Sequence, residues 1–152
     1  MAQTLEDLLD ALEDVDDATR EEASKALGEL ADPATLEALI GACGDEYWTV
    51  RAHAGWGVAR IGGPKAVEAL IVLFNDSIME VRNEAVAAMA SMGATVVDRL
   101  IIALKDERWR VREHAAKTCG EIKDRKTVEA LIPVCRARDG AVKSAVAEAL
   151  GK

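Results

Sequence analysis

The sequence is poor in aromatic residues, proline and cysteine, and it lacks long hydrophobic runs. Aromatic residues make up 3% of the 152 residues, and there are three prolines and three cysteines. Strands favour aromatic and β-branched side chains, so a chain rich in alanine and leucine is expected to form closely packed helices. No apolar run approaches the roughly 20 residues of a membrane span. The acidic N-terminus has no basic segment followed by an apolar one, so we expect no signal peptide, no membrane contact and a cytoplasmic location.

The cysteines also exclude some kinds of site. Cys43, Cys119 and Cys135 are odd in number, and none stands in a CxxC motif. This argues against a disulfide framework and against a zinc site. Other copies of the repeat described below carry leucine, phenylalanine, valine or methionine at these positions. We therefore predict three buried, apolar thiols in a protein of a reducing compartment.

Negative charge is abundant but unevenly distributed. The formal net charge is −8, and residues 1–32 hold 11 acidic and 2 basic side chains. The rest of the chain, with 16 acidic and 17 basic side chains, is nearly neutral. A general nucleic-acid binder is normally basic overall, so no nucleic-acid partner is expected. The acidic first segment instead favours a protein or peptide partner with a basic segment.

The chain is built from a repeated unit of about 31 residues. The dipeptide Val-Arg recurs with its arginine at Arg51, Arg82 and Arg112, at spacings of 31 and 30. A Leu-Leu or Leu-Ile pair precedes each copy and marks an earlier helix of the same unit. Two-helix units bury their apolar faces only by stacking, which predicts an all-α fold, a right-handed α-solenoid in a single domain. The five predicted repeats are approximately 1–32, 33–63, 64–94, 95–124 and 125–152.

The helix predicted from Trp48 to Gly62 has an unusual outward face. Its apolar side, at helical spacing, is formed by Val50, Ala54, Val58 and Ile61. Trp48 and Trp56 lie on the opposite side, where solvent is expected. Gly55 and Gly57 flank Trp56, and each costs a helix roughly 1 kcal/mol relative to alanine. They either make room for a closely packed helix or leave space around Trp56 for a partner.

The repeated pattern D-x(5)-R, with VRxxAAxxxGxI and then AVxALI, resembles the PBS-lyase-like HEAT repeat family. Residues 106–124, DERWRVREHAAKTCGEIKD, are the closest copy, and the resemblance covers the full length. It implies an interaction scaffold in most cases and part of an enzyme in some. It also implies a ladder of Asp–Arg pairs between units, in which Arg20 begins the series of arginines. In the last unit Ala137 stands where the aspartate is expected.

The resemblance raises a metal site, because family members that are iron hydroxylases use adjacent His-Glu dyads as ligands. The corresponding pairs here are Ala52-His53, Asn83-Glu84 and Glu113-His114, none of which is a His-Glu dyad in that order. Units about one packed-helix spacing apart also place the two histidines too far from each other to share a metal. We therefore predict no metal, no cofactor and no catalytic site, and we expect both histidines to face solvent.

The outward side of the second helices is the best candidate for function. Trp48, Met79 and Trp109 occupy the same position in three consecutive units, and tryptophan, methionine and arginine are enriched at protein interfaces. The two tryptophans of this column are either exposed or folded over the inter-helix loops. The predicted partner-binding residues are Trp48, His53, Trp56, Met79, Glu84, Trp109, Arg110, Glu113 and His114.

The main hypothesis is therefore a non-enzymatic scaffold that binds a protein or peptide on the concave surface of the second helices. One alternative is an accessory subunit of a lyase-type or metal-dependent enzyme. Another is self-association, with a homodimer formed through the C-terminal repeat, because the chain ends on the apolar residues Val146, Ala149 and Leu150.

Overall fold

The computed structural model describes residues 3–135 and 139–151, and all regular structure in these two ranges is helical. Short 3₁₀ turns, Pro33–Thr35 and Gly93–Val96, lead into α3 and α7. The ten α-helices of the described residues are α1 (Leu5–Ala11), α2 (Asp17–Leu30), α3 (Leu36–Ala42), α4 (Trp48–Ile61), α5 (Pro64–Leu73), α6 (Met79–Ser91), α7 (Val97–Ala103), α8 (Trp109–Ile122), α9 (Arg125–Val134) and α10 (Gly140–Gly151).

The even-numbered helices form one continuous layer. α2 packs on α4, α4 on α6, α6 on α8, and α8 on α10. Each odd-numbered helix packs against the even-numbered helix that follows it in the chain. Stacked helix pairs of this kind are an α-solenoid, so the all-helical solenoid expected from the repeats is confirmed. The handedness, the repeat count and the repeat boundaries stay predictions.

Local sequence signals position the helix ends. α4 ends at Ile61, and its C-cap residue is Gly62, whose φ of +80° is a conformation that glycine adopts at little steric cost. Pro64 opens α5, where its missing N–H has no helical partner in any case. Before α4, the carboxylate of Asp45 accepts a hydrogen bond of 2.8 Å from the backbone N–H of Tyr47. The helix predicted from Trp48 to the glycines at its end is therefore confirmed.

The core is a single apolar cluster that runs along the solenoid. It is built from the residues that recur in every unit, because these face both their own helix pair and the next one. The valine of each Val-Arg pair and the first leucine of each Leu-Ile pair are 0 or 1% exposed: Val50, Val81, Val111, Leu39, Leu70, Leu100 and Leu131.

Glycines let consecutive even-numbered helices approach closely. A Cβ added to Gly57 in α4 would lie 2.9 Å from Leu39 Cδ1 and 3.0 Å from the Cα of Gly28 in α2. At Gly120 in α8, an added Cβ would lie 2.6 Å from the Cβ of Ala149 in α10. Such contacts are shorter than carbon atoms tolerate, so larger side chains would push the helices apart.

Arginines of the even-numbered helices tie successive inter-helix loops together in a series that we call the loop ladder. Arg20 donates from Nε to Asp45 at 2.8 Å and from Nη2 at 3.1 Å. Arg51 contacts Asp76 in the same two-point way, at 2.7 and 2.9 Å. The paired side chains are 9–13% exposed, and two-point Arg–carboxylate pairs are the stronger kind. The Asp–Arg ladder implied by the family resemblance is thus confirmed at these two rungs.

The third rung of the loop ladder is not formed. No hydrogen bond joins Arg82 to Asp106 among the described residues. Asp106 is instead bound by Arg108 of its own loop, from Nε at 2.9 Å and from Nη2 at 3.0 Å. These hydrogen bonds lower the pKa of Asp106 to about 2. The continuous ladder expected from the register is therefore wrong at this junction, because Arg108 competes for the same carboxylate.

The fourth rung has an unexpected acceptor. Arg112 donates from Nη2 to Asp139 at 3.0 Å. Ala137, which stands where the repeat register expects the aspartate, lies outside the described residues. The carboxylate comes instead from Asp139, two residues beyond the register position, so the replacement of the aspartate by Ala137 does not leave Arg112 without an acidic partner.

A second series of ion pairs joins the odd-numbered helices. Glu37 pairs with Lys65, Glu68 with Arg99 at 2.5 Å, and Asp98 with Lys126 at 3.8 Å. Most of these side chains are well exposed, so each pair adds little to stability. In this series the acid precedes the base along the chain, whereas in the loop ladder the base precedes the acid.

Two of the three cysteines match the expectation. Cys43 and Cys119 are buried, and burial raises the pKa of each thiol to about 12. Cys135 is exposed, so its predicted burial is wrong. It follows the last residue of α9 and belongs to no helix.

Within the described residues, no single helix has the length and apolar character of a membrane span. The helix pair Met79–Ser91 and Gly93–Ala103 meets the criteria of length and apolar composition only when the two segments are taken together, and it is bent by 114°.

Candidate partner-binding surface

Three large side chains form an exposed row at the start of consecutive even-numbered helices. Trp48, Met79 and Trp109 are the first residues of α4, α6 and α8, and they are 39%, 57% and 45% exposed. We call this row the Trp–Met stripe. Because each helix begins at the same point of its unit, one sequence position is repeated on one edge of the layer. The exposure of Trp48 and Trp109, which the sequence left open, is thereby established.

Trp109 carries an arginine on its ring. The guanidinium carbon of Arg110 lies 5.2 Å from the centroid of the Trp109 ring, within the range of a cation–π contact. The Nε of Arg110 is buried and has no hydrogen-bond partner among the described residues. The stripe therefore ends on a paired aromatic and cationic group.

Trp56 is not the freely projecting side chain that its outward position predicted. It is half-buried and packs against the core, and its Nε1 donates a 2.7 Å hydrogen bond to Glu84 of α6. The indole therefore joins α4 to α6 and satisfies its own polar group. Gly55 and Gly57 do not leave space around it, because both are buried against Leu residues of the odd-numbered helices. Of the two interpretations of these glycines, close packing is the correct one.

His53 links α4 to the preceding helix. Its Nε2 lies 3.5 Å from Glu21 of α2, and Thr49 donates to the same carboxyl group at 2.7 Å. The imidazole is half-buried, with 34% of its side chain exposed. Because Glu84 and Glu21 both bind neighbours from α4, two acidic members of this surface are held in place by hydrogen bonds.

His114 is buried, so the expectation that it faces solvent is wrong. It is 2% exposed, its ring centroid lies 6.1 Å from that of Phe74, and its Nδ1 is 2.7 Å from the carbonyl oxygen of Arg110. Burial lowers the pKa of His114 below its ordinary value. The neighbouring Glu113 points to Lys117, at 3.1 Å. His114 therefore supports the surface from beneath and cannot contact a partner directly.

A groove of about 550 Å³ crosses the other half of the same face. Asn83 and Ala87 of α6 line one side, Lys117 and Glu121 of α8 cross it, and Glu148 of α10 closes the other side. None of these five residues is among the predicted binding residues. The sequence feature that could have identified them is their common position on the outward side of the even-numbered helices, together with small side chains on the flanking helices.

The described residues contain no group of three or more histidine, cysteine, aspartate or glutamate side chains that could hold a metal ion. The two histidines have separate environments, one beside Glu21 and one against Phe74. The structure therefore does not bring the histidine and glutamate pairs of the sequence together into one site.

The sequence matches the family described as HEAT repeats over residues 2–90 and 97–152. The chain belongs to the HEAT repeat family. No curated protein matches the sequence.

Solved structures share the fold at low identity. The complex of CpcE and CpcF of phycocyanin lyase from Nostoc sp. PCC7120 is 23% identical, with a TM-score of 0.65, over 99% of this chain and 65% of that one. A designed armadillo repeat protein in complex with the peptide (KR)4 is 19% identical, with a TM-score of 0.51, over 97% and 80% of the two chains. Human deoxyhypusine hydroxylase is 19% identical, with a TM-score of 0.51, over 96% and 72%.

The family match confirms the predicted HEAT repeats, and these likenesses show the same helical repeat fold. At such identities they establish the fold alone, which is used by scaffolds and by enzyme subunits alike.

Proposed function

We propose that the chain is a non-enzymatic scaffold that binds a protein or peptide across the outward face of α4, α6 and α8. The observation that carries this proposal is the exposure of Trp48, Met79 and Trp109 in one row. These side chains recur at one position of neighbouring helices, and exposed apolar side chains that are grouped on one surface mark interaction sites. Tryptophan and methionine also supply much of the contact area in protein interfaces.

The partner that suits this surface carries a basic segment. The first 32 residues, which include α2 at one end of the layer, hold 11 acidic and 2 basic side chains. Because this segment is strongly acidic, a lysine- or arginine-bearing segment would be attracted to the α2 end of the face.

Selection from a random peptide display library tests the proposal. We expect selected peptides to be enriched in lysine and arginine, and Trp48→Ala and Trp109→Ala each to weaken their binding. Truncating an interface hot spot costs about 2 kcal/mol or more, which is about a 30-fold loss of affinity. Fluorescence titration of the purified variants measures that loss.

Ile102→Ala is the matched control, because Ile102 is 62% exposed but belongs to the odd-numbered helix α7. It should bind the selected peptides as the unchanged protein does. Equal binding by the unchanged protein, Trp48→Ala and Trp109→Ala would refute the proposed surface.

The accessory-subunit alternative is favoured by one observation, the likeness to the two-subunit CpcE–CpcF lyase complex. It predicts a bound chromophore or metal in protein purified from its own cells. An absorption spectrum and elemental analysis distinguish it from the scaffold. Self-association through the C-terminal repeat is tested by the mass in solution, since it predicts a dimer that Leu150→Glu converts to a monomer.

A further inference from the structure

The arginine of the missing third rung is already in position to form it. Arg82 donates from Nη1 to the carbonyl oxygens of Asp76, at 2.7 Å, and Ser77, at 3.0 Å. Arg51 makes the equivalent hydrogen bonds, at 2.9 and 3.1 Å, and uses its Nε for the next aspartate. The Nε of Arg82 is buried and has no partner in the described part of the chain. This N–H group is therefore a buried donor without an acceptor, while the carboxylate that the register assigns to it is bound by another residue.

The missing carboxylate is held by an arginine that the equivalent loops lack. Arg108 occupies the position that Tyr47 and Ile78 occupy in the two preceding loops. Its two-point contact with Asp106 has the same form as a ladder rung, but 45% of the Arg108 side chain is exposed. Because both residues lie in one loop, their ion pair does not connect neighbouring units. One carboxylate is thus bound by an exposed, local arginine, while the arginine that the register assigns to it lies in the preceding unit with its Nε buried and unpaired.

Exchange between these partners needs no change of the loop backbone. Asp106 accepts a 2.9 Å hydrogen bond from the backbone N–H of Arg108, as Asp45 does from Tyr47. Asp45 keeps that hydrogen bond while it also binds Arg20 at 2.8 and 3.1 Å. The same loop conformation is therefore compatible with either partner of Asp106.

We propose that Asp106 alternates between Arg108 and Arg82, which makes the α6–α8 junction an adjustable joint in the solenoid. Leaving the Nε of Arg82 unpaired is unfavourable, which favours the Arg82 arrangement, whereas the Arg108 arrangement is formed within one loop and needs no contact between units. Closing the rung would tie the loop before α8 to Arg82 of α6, as the rungs at Arg20 and Arg51 tie their loops to α2 and α4. This tie would lie at the ends of α6 and α8 that carry Met79 and Trp109.

Arginine side-chain NMR tests the joint and needs no binding partner, so its outcome is independent of the proposed scaffold role. In Arg108→Gln, Asp106 loses its local partner, and the solvent exchange of the Arg82 Nε–H should slow about tenfold or more, towards that of Arg51. Adding Asp106→Asn to this variant should restore fast exchange. Lys105→Gln removes an exposed positive charge from the same loop and should leave Arg82 unchanged.

Two results would overturn the proposal. One is an Arg82 Nε–H whose exchange does not slow in Arg108→Gln or in Arg108→Lys, a second variant that cannot make the two-point contact. The other is an Arg82 Nε–H as protected as that of Arg51 in the unchanged protein, because Asp106 would then belong to Arg82 alone.

Discussion

The contact between α8 and α10 allows a direct test of how tightly the layer is packed. In Gly120→Ala the new Cβ would lie 2.6 Å from the Cβ of Ala149 and 2.7 Å from its Cα. Carbon atoms pack at about 3.5–4.0 Å, so α10 must move by about 1 Å. No rotamer change relieves the contact, since the nearest atoms are backbone and Cβ.

The expected cost follows from two opposing effects. Overpacking costs about 1–3 kcal/mol, and alanine in place of glycine in a helix returns up to about 1 kcal/mol. We expect Gly120→Ala to lower the free energy of unfolding by about 1–2 kcal/mol. For a chain of this size that is a fall in Tm of about 2–8 °C, measured by circular dichroism.

Gly41→Ala is the matched control, because Gly41 lies in α3 and an added Cβ would meet nothing within 4 Å. It should raise the free energy of unfolding by about 0.5–1 kcal/mol. Combining Gly120→Ala with Ala149→Gly should recover part of the loss. If Gly120→Ala is as stable as Gly41→Ala, the close approach of α8 and α10 is refuted.

Two further predictions concern titratable groups. Burial lowers the pKa of His114 in the folded chain, so the unfolded chain binds more protons and stability is lost as the pH falls below about 6.5. Denaturant unfolding between pH 7.5 and 5.5 should show this loss, up to about 1.4 kcal/mol per pH unit; an equal loss in His114→Leu would contradict it. Because burial raises the pKa of Cys43 and Cys119 to about 12, a thiol reagent at pH 8 should label Cys135 quickly and the other two only after unfolding. Equal labelling rates for all three thiols in the folded protein would count against this.

The fold was accessible from the sequence because its signals are periodic. Val-Arg and Leu-Ile pairs recur about every 31 residues, and glycine and proline mark helix ends such as Gly62 and Pro64. Each signal acts within one helix or between copies of one unit. The all-helical solenoid follows from such signals, whereas the two fully formed rungs at Arg20 and Arg51 were expected from the family resemblance.

The errors arose where a neighbouring unit decides the outcome. His53 and His114 share one register position, yet only His114 is buried, against Phe74. Trp56 was assigned to solvent, but Glu84 of the next helix binds its indole N–H. The register gives the side of a helix on which a residue lies, whereas these environments depend on side chains from the adjoining helices.

The predicted third rung of the loop ladder, between Arg82 and Asp106, is missing for a different reason. The register assigned Asp106 to Arg82, but Arg108 makes the same two-point contact from within the loop. Arg108, which lies outside the repeat pattern, thus takes the carboxylate that the two-point contacts of Arg20 and Arg51 would lead one to expect at Arg82. Periodicity identifies the residues that the units share, but it does not predict the effect of a residue that differs in one unit.

The opposite polarity of the two ion-pair series has a consequence for how the chain could change in length. A unit such as residues 33–63 carries both a loop aspartate, which receives the preceding arginine, and an arginine that reaches forward. It also carries an odd-helix acid, Glu37, which pairs with Lys65 of the following unit. In a duplicated unit the second copy of Asp45 would receive the first copy of Arg51, so the loop ladder would need no new residues. The odd-helix pair would not be regenerated, because this unit carries Ala34 where the following unit carries Lys65. Removing the unit that contains Arg108 would, by contrast, delete the one junction where the pattern is interrupted.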